Sequence, residues 1–235
     1  MSDSVFQKEE IVGGAFSLSH LGETFFPAPA AVGTPGFSIQ FENGELYAPA
    51  QAVHTDRTED DFRVETLDFT PFCEGRLTRC ERILLYRPHW MFVLDRLSAA
   101  NPFHLETAFF PNGDDGALQE HIADDRRIVL RRGEGGVTFF SFPQNGELIF
   151  SRQESAGSPV YRYETAQTQC SCTTIWVLAM DDTERVRQWH IKGTPGTVSV
   201  FSPGNRWEYR LQLTETVPDG FTLTTEEVHI ENERK

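Results

Sequence analysis

His104 and Glu106 are the residues whose types and spacing offer the clearest chemistry. They sit in Phe103-His104-Leu105-Glu106-Thr107-Ala108-Phe109-Phe110. Side chains alternate along an extended strand, so His104, Glu106 and Ala108 share one face. Phe103, Leu105, Thr107 and Phe109 share the other. A carboxylate beside an imidazole can set its tautomer and raise its basicity, which proton abstraction needs. These two residues are therefore the candidate catalytic pair. The competing reading is an ordinary His–Glu pair on a half-exposed strand. Alone they supply too few ligands for a metal, and no metal site is expected.

His54 and Asp56 repeat the same spacing beside a charged run and are candidates for binding substrate, since loops often carry sites. Arg82 is a third binding candidate. A guanidinium in a sheet groove grips a carboxylate or sulfate through paired hydrogen bonds, with a cross-strand ion pair as the alternative. Arg79 and Arg82 fall on opposite faces of a regular strand. His20 has no defined face, His89 follows Pro88 in a turn, and His121, His190 and His229 lack distinctive partners. There is no G-x-S-x-G, P-loop, H-E-x-x-H or EF-hand loop. Any cofactor is left unspecified.

The elements that would position these residues are strands. Period-two segments rich in β-branched and aromatic residues recur at Phe37–Phe41, Arg82–Tyr86, Trp90–Leu97, Phe103–Phe110, Arg127–Arg131, Val137–Phe142, Glu147–Ser151, Thr173–Met180, Thr197–Phe201, Arg206–Leu213 and Phe221–Ile230. Between them stand Asn43-Gly44, Asn112-Gly113, Gly135-Gly136, Asn145-Gly146, Gly204-Asn205 and Asp219-Gly220, which suit tight turns. Arg185–Ile191 alternates like a strand, yet Asp181 and Asp182 stand ready to cap a short helix there. No segment keeps a 3.6-residue period over three turns. The expected fold is all-β: an antiparallel two-sheet β-sandwich over residues 1–235 as a single domain. Phe26–Gly36 is too rich in Pro and Gly for a central strand, and Asp56–Asp61 reads as a solvated loop.

Composition narrows the function classes. The 235 residues carry 21 Lys+Arg against 35 Asp+Glu, a formal charge of −14. That balance argues against nucleic acid and anionic membranes as partners. No stretch approaches the length of a membrane span. The first ten residues show no basic region followed by an apolar one, so the chain as given reads as cytoplasmic; trimmed of a leader, it would read as periplasmic or secreted. Cys73, Cys80, Cys170 and Cys172 are too few for a disulfide scaffold and lack zinc-site spacing. Cys170 and Cys172 would share a strand face.

Arg79-Cys80-Glu81-Arg82-Ile83-Leu84-Leu85-Tyr86-Arg87-Pro88-His89-Trp90-Met91-Phe92-Val93-Leu94-Asp95-Arg96-Leu97 resembles the C-terminal β-sandwich of heparinase II/III-like polysaccharide lyases. The shared pattern is an Arg-containing strand, a short turn, an aromatic, then an apolar strand ending in Asp. Asn101–Phe110 fills the place of the His-containing strand that follows. The likeness is clearest over Val64–Pro111 and continues weakly to Met180. It departs where the family often has His-Arg-Arg and this chain has Thr78-Arg79-Cys80.

The resemblance implies a sandwich that sits beside an α/α toroid and a cleft that binds uronic-acid polysaccharide for β-elimination. His104 is the one residue matched to the strand pattern. The implied partners are an acidic polysaccharide or oligosaccharide and a helical lyase domain or subunit. Sheet edges and the acidic surface are also compatible with a homodimer. Two other readings stand beside this one. One is a non-catalytic carbohydrate-binding or assembly module, and the other is a mutarotase-like supersandwich protein acting on small sugars.

Overall fold

The computed structural model describes residues 16–27, 36–59, 62–155, 157–214 and 220–227. In chain order the strands are β1 (Leu18–His20), β2 (Glu23–Phe26), β3 (Phe37–Phe41), β4 (Leu46–Tyr47), β5 (Val53–Glu59), β6 (Phe62–Asp68), β7 (Arg79–Arg87), β8 (Trp90–Phe109) and β9 (Gln119–Asp124). They continue as β10 (Arg127–Arg132), β11 (Gly135–Pro143), β12 (Leu148–Ser155), β13 (Ser158–Thr165), β14 (Gln169–Asp182), β15 (His190–Thr194), β16 (Thr197–Phe201), β17 (Trp207–Leu213) and β18 (Phe221–Glu227). All pairings are antiparallel. No α-helix occurs among the described residues, only three short 3-10 turns.

Twelve strands form one sheet along the path β5-β6-β7-β8-β14-β11-β10-β9, with β3–β4 and β12–β13 joined to it through β8. Strands β15 to β18 form a second sheet and β1–β2 a small hairpin. Residues directly opposite across a ladder share a face, which fixes the layers. Trp90, Phe92, Leu94, Ile175 and Val177 face Val198, Val200 and Leu211 of the four-stranded sheet. Met91, Val93, Trp176 and Leu178 face the other way, into a core with Phe25, Phe109, Phe139, Tyr161 and Tyr163. Because the central strands are covered on both sides, Trp90–Leu97 is buried without alternation.

Strand β8 is the hub. Its first part pairs with β7 and β14, and Phe103–Phe109 pairs with β3 and β13. The sequence pattern divides this element at Ser98–Pro102, whereas the chain runs through as one strand that changes partners there. Pro102 is tolerated because it falls where the β14 ladder is irregular, between Ser98 and Phe103.

Other expectations need correcting. Asp56–Glu59, read as solvated loop, belongs to β5, an edge strand whose exposure on both faces explains its charge. Ser158–Thr165, absent from the expected strands, is a full strand. Cys170 and Cys172 do not share a face: a bulge between Gln169 and Ser171 leaves Cys170 exposed and Cys172 buried. Arg185–Ile191 divides into a 3-10 turn at Val186–Gln188 and the start of β15. Asp182 Oδ1 accepts the Glu184 and Arg185 backbone N–H groups just before it. The turn before β11 centres on Gly133, which holds a positive φ of 51°, so Gly135 and Gly136 lie inside the strand. The Pro- and Gly-rich stretch lies outside the described residues from position 28 to 35.

Candidate functional site

Where β8 passes between β3 and β13 it presents His104 and Glu106 on an open face. Gln40 stands opposite His104, and Ser38 and Glu164 stand on either side of Glu106. These side chains line a cleft of about 380 Å³, with Thr165 at its floor and the exposed Leu46 and Ile149 at its sides. The alternation is the expected one: Phe103, Leu105 and Thr107 turn into the core while His104 and Glu106 stay half-buried.

The partners differ from those expected. His104 Nδ1 lies 3.2 Å from the Thr165 carbonyl oxygen and 3.4 Å from its Oγ1. A carbonyl can only accept, so Nδ1 donates in that contact, whereas the Thr165 hydroxyl can donate to an unprotonated Nδ1; in the Nδ1–H tautomer Nε2 keeps its lone pair. Glu106 instead forms an ion pair with Arg162 on β13. At Nδ1 the partner of His104 is thus Thr165 and not Glu106. Glu164 sits directly across from Glu106 in register, so two carboxylates line the cleft, one of them paired to Arg162.

His54 and Asp56 lie elsewhere, on the edge strand β5, and neither lines this cleft. His54 Nε2 is 3.3 Å from Glu65 Oε2 on β6. The Tyr86 hydroxyl, on β7, donates to Glu65 Oε1 at 2.7 Å. Burial and the adjoining Glu65 carboxylate push the Tyr86 phenol well above its ordinary range. Asp56 is 3.5 Å from the guanidinium of Arg63, whose carbon lies 5.9 Å from the centre of the Tyr86 ring.

Arg82 is in neither place. It is 1% exposed and bound through Nε and Nη2 to both oxygens of Asp95, at 2.6 and 2.7 Å. Trp176 Nε1 donates to the same carboxylate at 2.7 Å. The guanidinium is committed inside the sheet, so the expectation that Arg82 meets a ligand is corrected. The strand period gave its face but not what lies over that face.

Sequence reasoning missed Gln40, Glu164 and Thr165 in the cleft, Arg162 as the partner of Glu106, and Glu65 and Tyr86 at the edge. The alternation of Val160, Tyr161, Arg162, Tyr163, Glu164 and Thr165 was the available signal for β13. Among the described residues, no group of three or more His, Cys, Asp or Glu is placed to hold a metal ion. No helix among them is long and apolar enough to cross a membrane.

No family model and no curated protein matches this sequence. Solved structures do match. A heparinase III superposes at TM-score 0.59 and 8% identity, over 92% of this chain and 36% of that one. Another heparinase III gives 0.55 and 11%, over 92% and 35%. The heparan sulfate lyase HepC from Pedobacter heparinus gives 0.55 and 15%, over 92% and 37%. At these identities the likeness is one of fold: the chain has the fold of one domain of such lyases. It spans little more than a third of their length.

Proposed function

We propose that this chain is the β-sandwich module of a polysaccharide lyase system, binding acidic, uronic-acid carbohydrate and needing a helical domain or subunit for β-elimination. The observation that carries the reading is the superposition of nearly the whole chain on one part of heparinase III and of HepC. The His104 cleft supports it. Its size suits one or two sugar rings, its rim carries aliphatic surface, and Gln40, Ser38 and Glu106 offer hydroxyl partners. His104, which lines the cleft, is the proposed proton acceptor through Nε2 in its Nδ1–H tautomer. Glu106 and Arg162 fix the neighbouring wall.

The test is a panel of uronic-acid polysaccharides. The purified chain is expected to bind at least one of them and to release no unsaturated uronate, followed by its ultraviolet absorbance. His104→Ala and Glu106→Ala should each weaken binding about tenfold, as the loss of one buried polar contact does. Release of unsaturated uronate by the chain alone would remove the need for a helical partner. Failure to bind any polymer of the panel would end the reading.

A second reading is favoured by one observation. Glu106 and Glu164 face each other across the ladder with Arg162 as the cation beside them, a balance that opposes a polyanion. On that reading the cleft takes a small uncharged sugar, in the manner of a mutarotase. Polarimetry on freshly dissolved aldoses decides between the two: faster mutarotation that disappears in His104→Ala supports the second.

A further inference from the structure

The buried carboxylate of Glu65 is the feature the cleft does not use. Its side chain is 1% exposed, whereas that of its partner His54 is 31% exposed. A carboxylate sealed from water is tolerated only when donors converge on it. Here the Tyr86 hydroxyl takes Oε1 and the His54 ring takes Oε2. The ladder makes this possible, because Asp56 stands opposite Glu65, while His54 on β5 and Tyr86 on β7 reach it diagonally.

A carboxylate can only accept. His54 therefore donates from Nε2, and in the neutral ring Nδ1 then holds the lone pair. Beside it, Arg63 and Asp56 form a loose pair at 3.5 Å, each about half exposed at 51% and 46%. A guanidinium held this way can exchange one carboxylate for another.

We propose that this edge is a second site, distinct from the cleft, for a carboxylate-bearing sugar. The ligand carboxylate replaces Asp56 on Arg63. A ligand hydroxyl donates to His54 Nδ1. Glu65 is the positioning residue that holds the imidazole in that tautomer. The site shares only its ligand class with the reading above, and it lies on other strands.

The test uses the whole chain, D-glucuronate as ligand, and carbethoxylation by diethyl pyrocarbonate, read residue by residue by mass spectrometry. In that reaction an unprotonated imidazole nitrogen attacks a reagent carbonyl carbon and an N–C bond forms. Ethyl carbonate departs as carbon dioxide and ethanol, and the ring loses its other proton. Glucuronate is expected to slow modification of His54 and not that of the exposed His121. Glu65→Gln should slow His54 by about fivefold or more without ligand, because the amide can donate to Nε2 and turn the ring to the other tautomer. Tyr86→Phe keeps the aromatic packing and should leave the His54 rate undiminished.

Nitrogen-15 shifts of the unmodified chain report the tautomer directly, so the assignment is tested even if Glu65→Gln does not fold. An Nδ1–H tautomer, equal losses in Glu65→Gln and Tyr86→Phe, or no protection by glucuronate would each overturn the proposal. His104→Ala should leave the protection intact, so failure of the cleft and failure of this edge are separable.

Discussion

At the scale of single residues, the sharpest lesson is Arg82. Its residue type, strand and face were legible in the sequence, but its partner was not fully so. Trp176 reaches Asp95 from another strand, with a sequence separation of 81. The local pattern carries no sign of that approach. A buried ion pair with both ends satisfied is nearly neutral to replace as a unit and costly to halve. Asp95→Ala should therefore destabilise the chain by about 3–5 kcal/mol, read as a lower urea midpoint with unchanged slope, while an Arg82→Met, Asp95→Leu double variant recovers only part of it, because the buried Trp176 Nε1–H still lacks its acceptor. The thiols give a second test at this scale. Cys170 is exposed, and Cys73, Cys80 and Cys172 are buried. Hydrogen bonding from Cys80 lowers the Cys73 thiol to about 7, but burial denies it reagent. Ellman's reagent should titrate Cys170 fast on the native chain and all four cysteines only after unfolding. Fast reaction of Cys73 in the native state would show that the loop over it opens.

At the scale of elements, the apolar strands were readable because they are covered on both faces. Trp90–Leu97 and Thr173–Met180 announce themselves by hydrophobicity alone. The strand β5 was not readable, since an edge strand exposed on both sides has the composition of a loop. The same blindness hid part of each candidate site: Glu65 is understood only once β5 is known to lie beside β6, and Thr165 only once β13 lies beside β8. Turn residues were also read two positions off at β11, and packing shows why the glycines are there. A Cβ placed on Gly136 would come within 2.6 Å of Val186 Cγ1 and 2.8 Å of its Cβ. The 3-10 turn carrying Val186 is tied down by Thr138 Oγ1, which donates to the Val186 carbonyl at 2.7 Å. Gly136→Ala should thus cost about 1–3 kcal/mol through overpacking. The expected signature is a lower melting temperature, by about 2–4 °C for each kcal/mol in a chain of this size. An unchanged melting temperature would mean that the turn shifts freely.

At the scale of the whole molecule, the net charge of −14 makes one prediction and a single buried histidine makes the opposite one. Acidification neutralises carboxylates and eases self-repulsion, so the charge alone would have the fold gain stability as pH falls toward 5.5. His20 opposes this. It is 2% exposed on the β1–β2 hairpin, and its ring centre lies 6.2 Å from that of His89 in the β7–β8 turn. Burial first, and His89 second, lower its affinity for a proton below the ordinary value of 6.5; a backbone hydrogen bond at Asp181 and the charges of Asp181 and Asp182 offset this only in part. The unfolded chain takes up that proton near 6.5 and the folded chain only at lower pH. Between those two points the unfolded state holds more protons, so stability falls as pH drops, by at most about 1.4 kcal/mol per pH unit for one group. Urea midpoints measured at about pH 7.5 and about pH 5.5 weigh the two effects against each other. His20→Asn removes one of them. The wild-type chain should lose stability over that interval, and the variant should lose less or gain. Parallel lines for the two chains would assign the pH response to the surface charge and not to the hairpin.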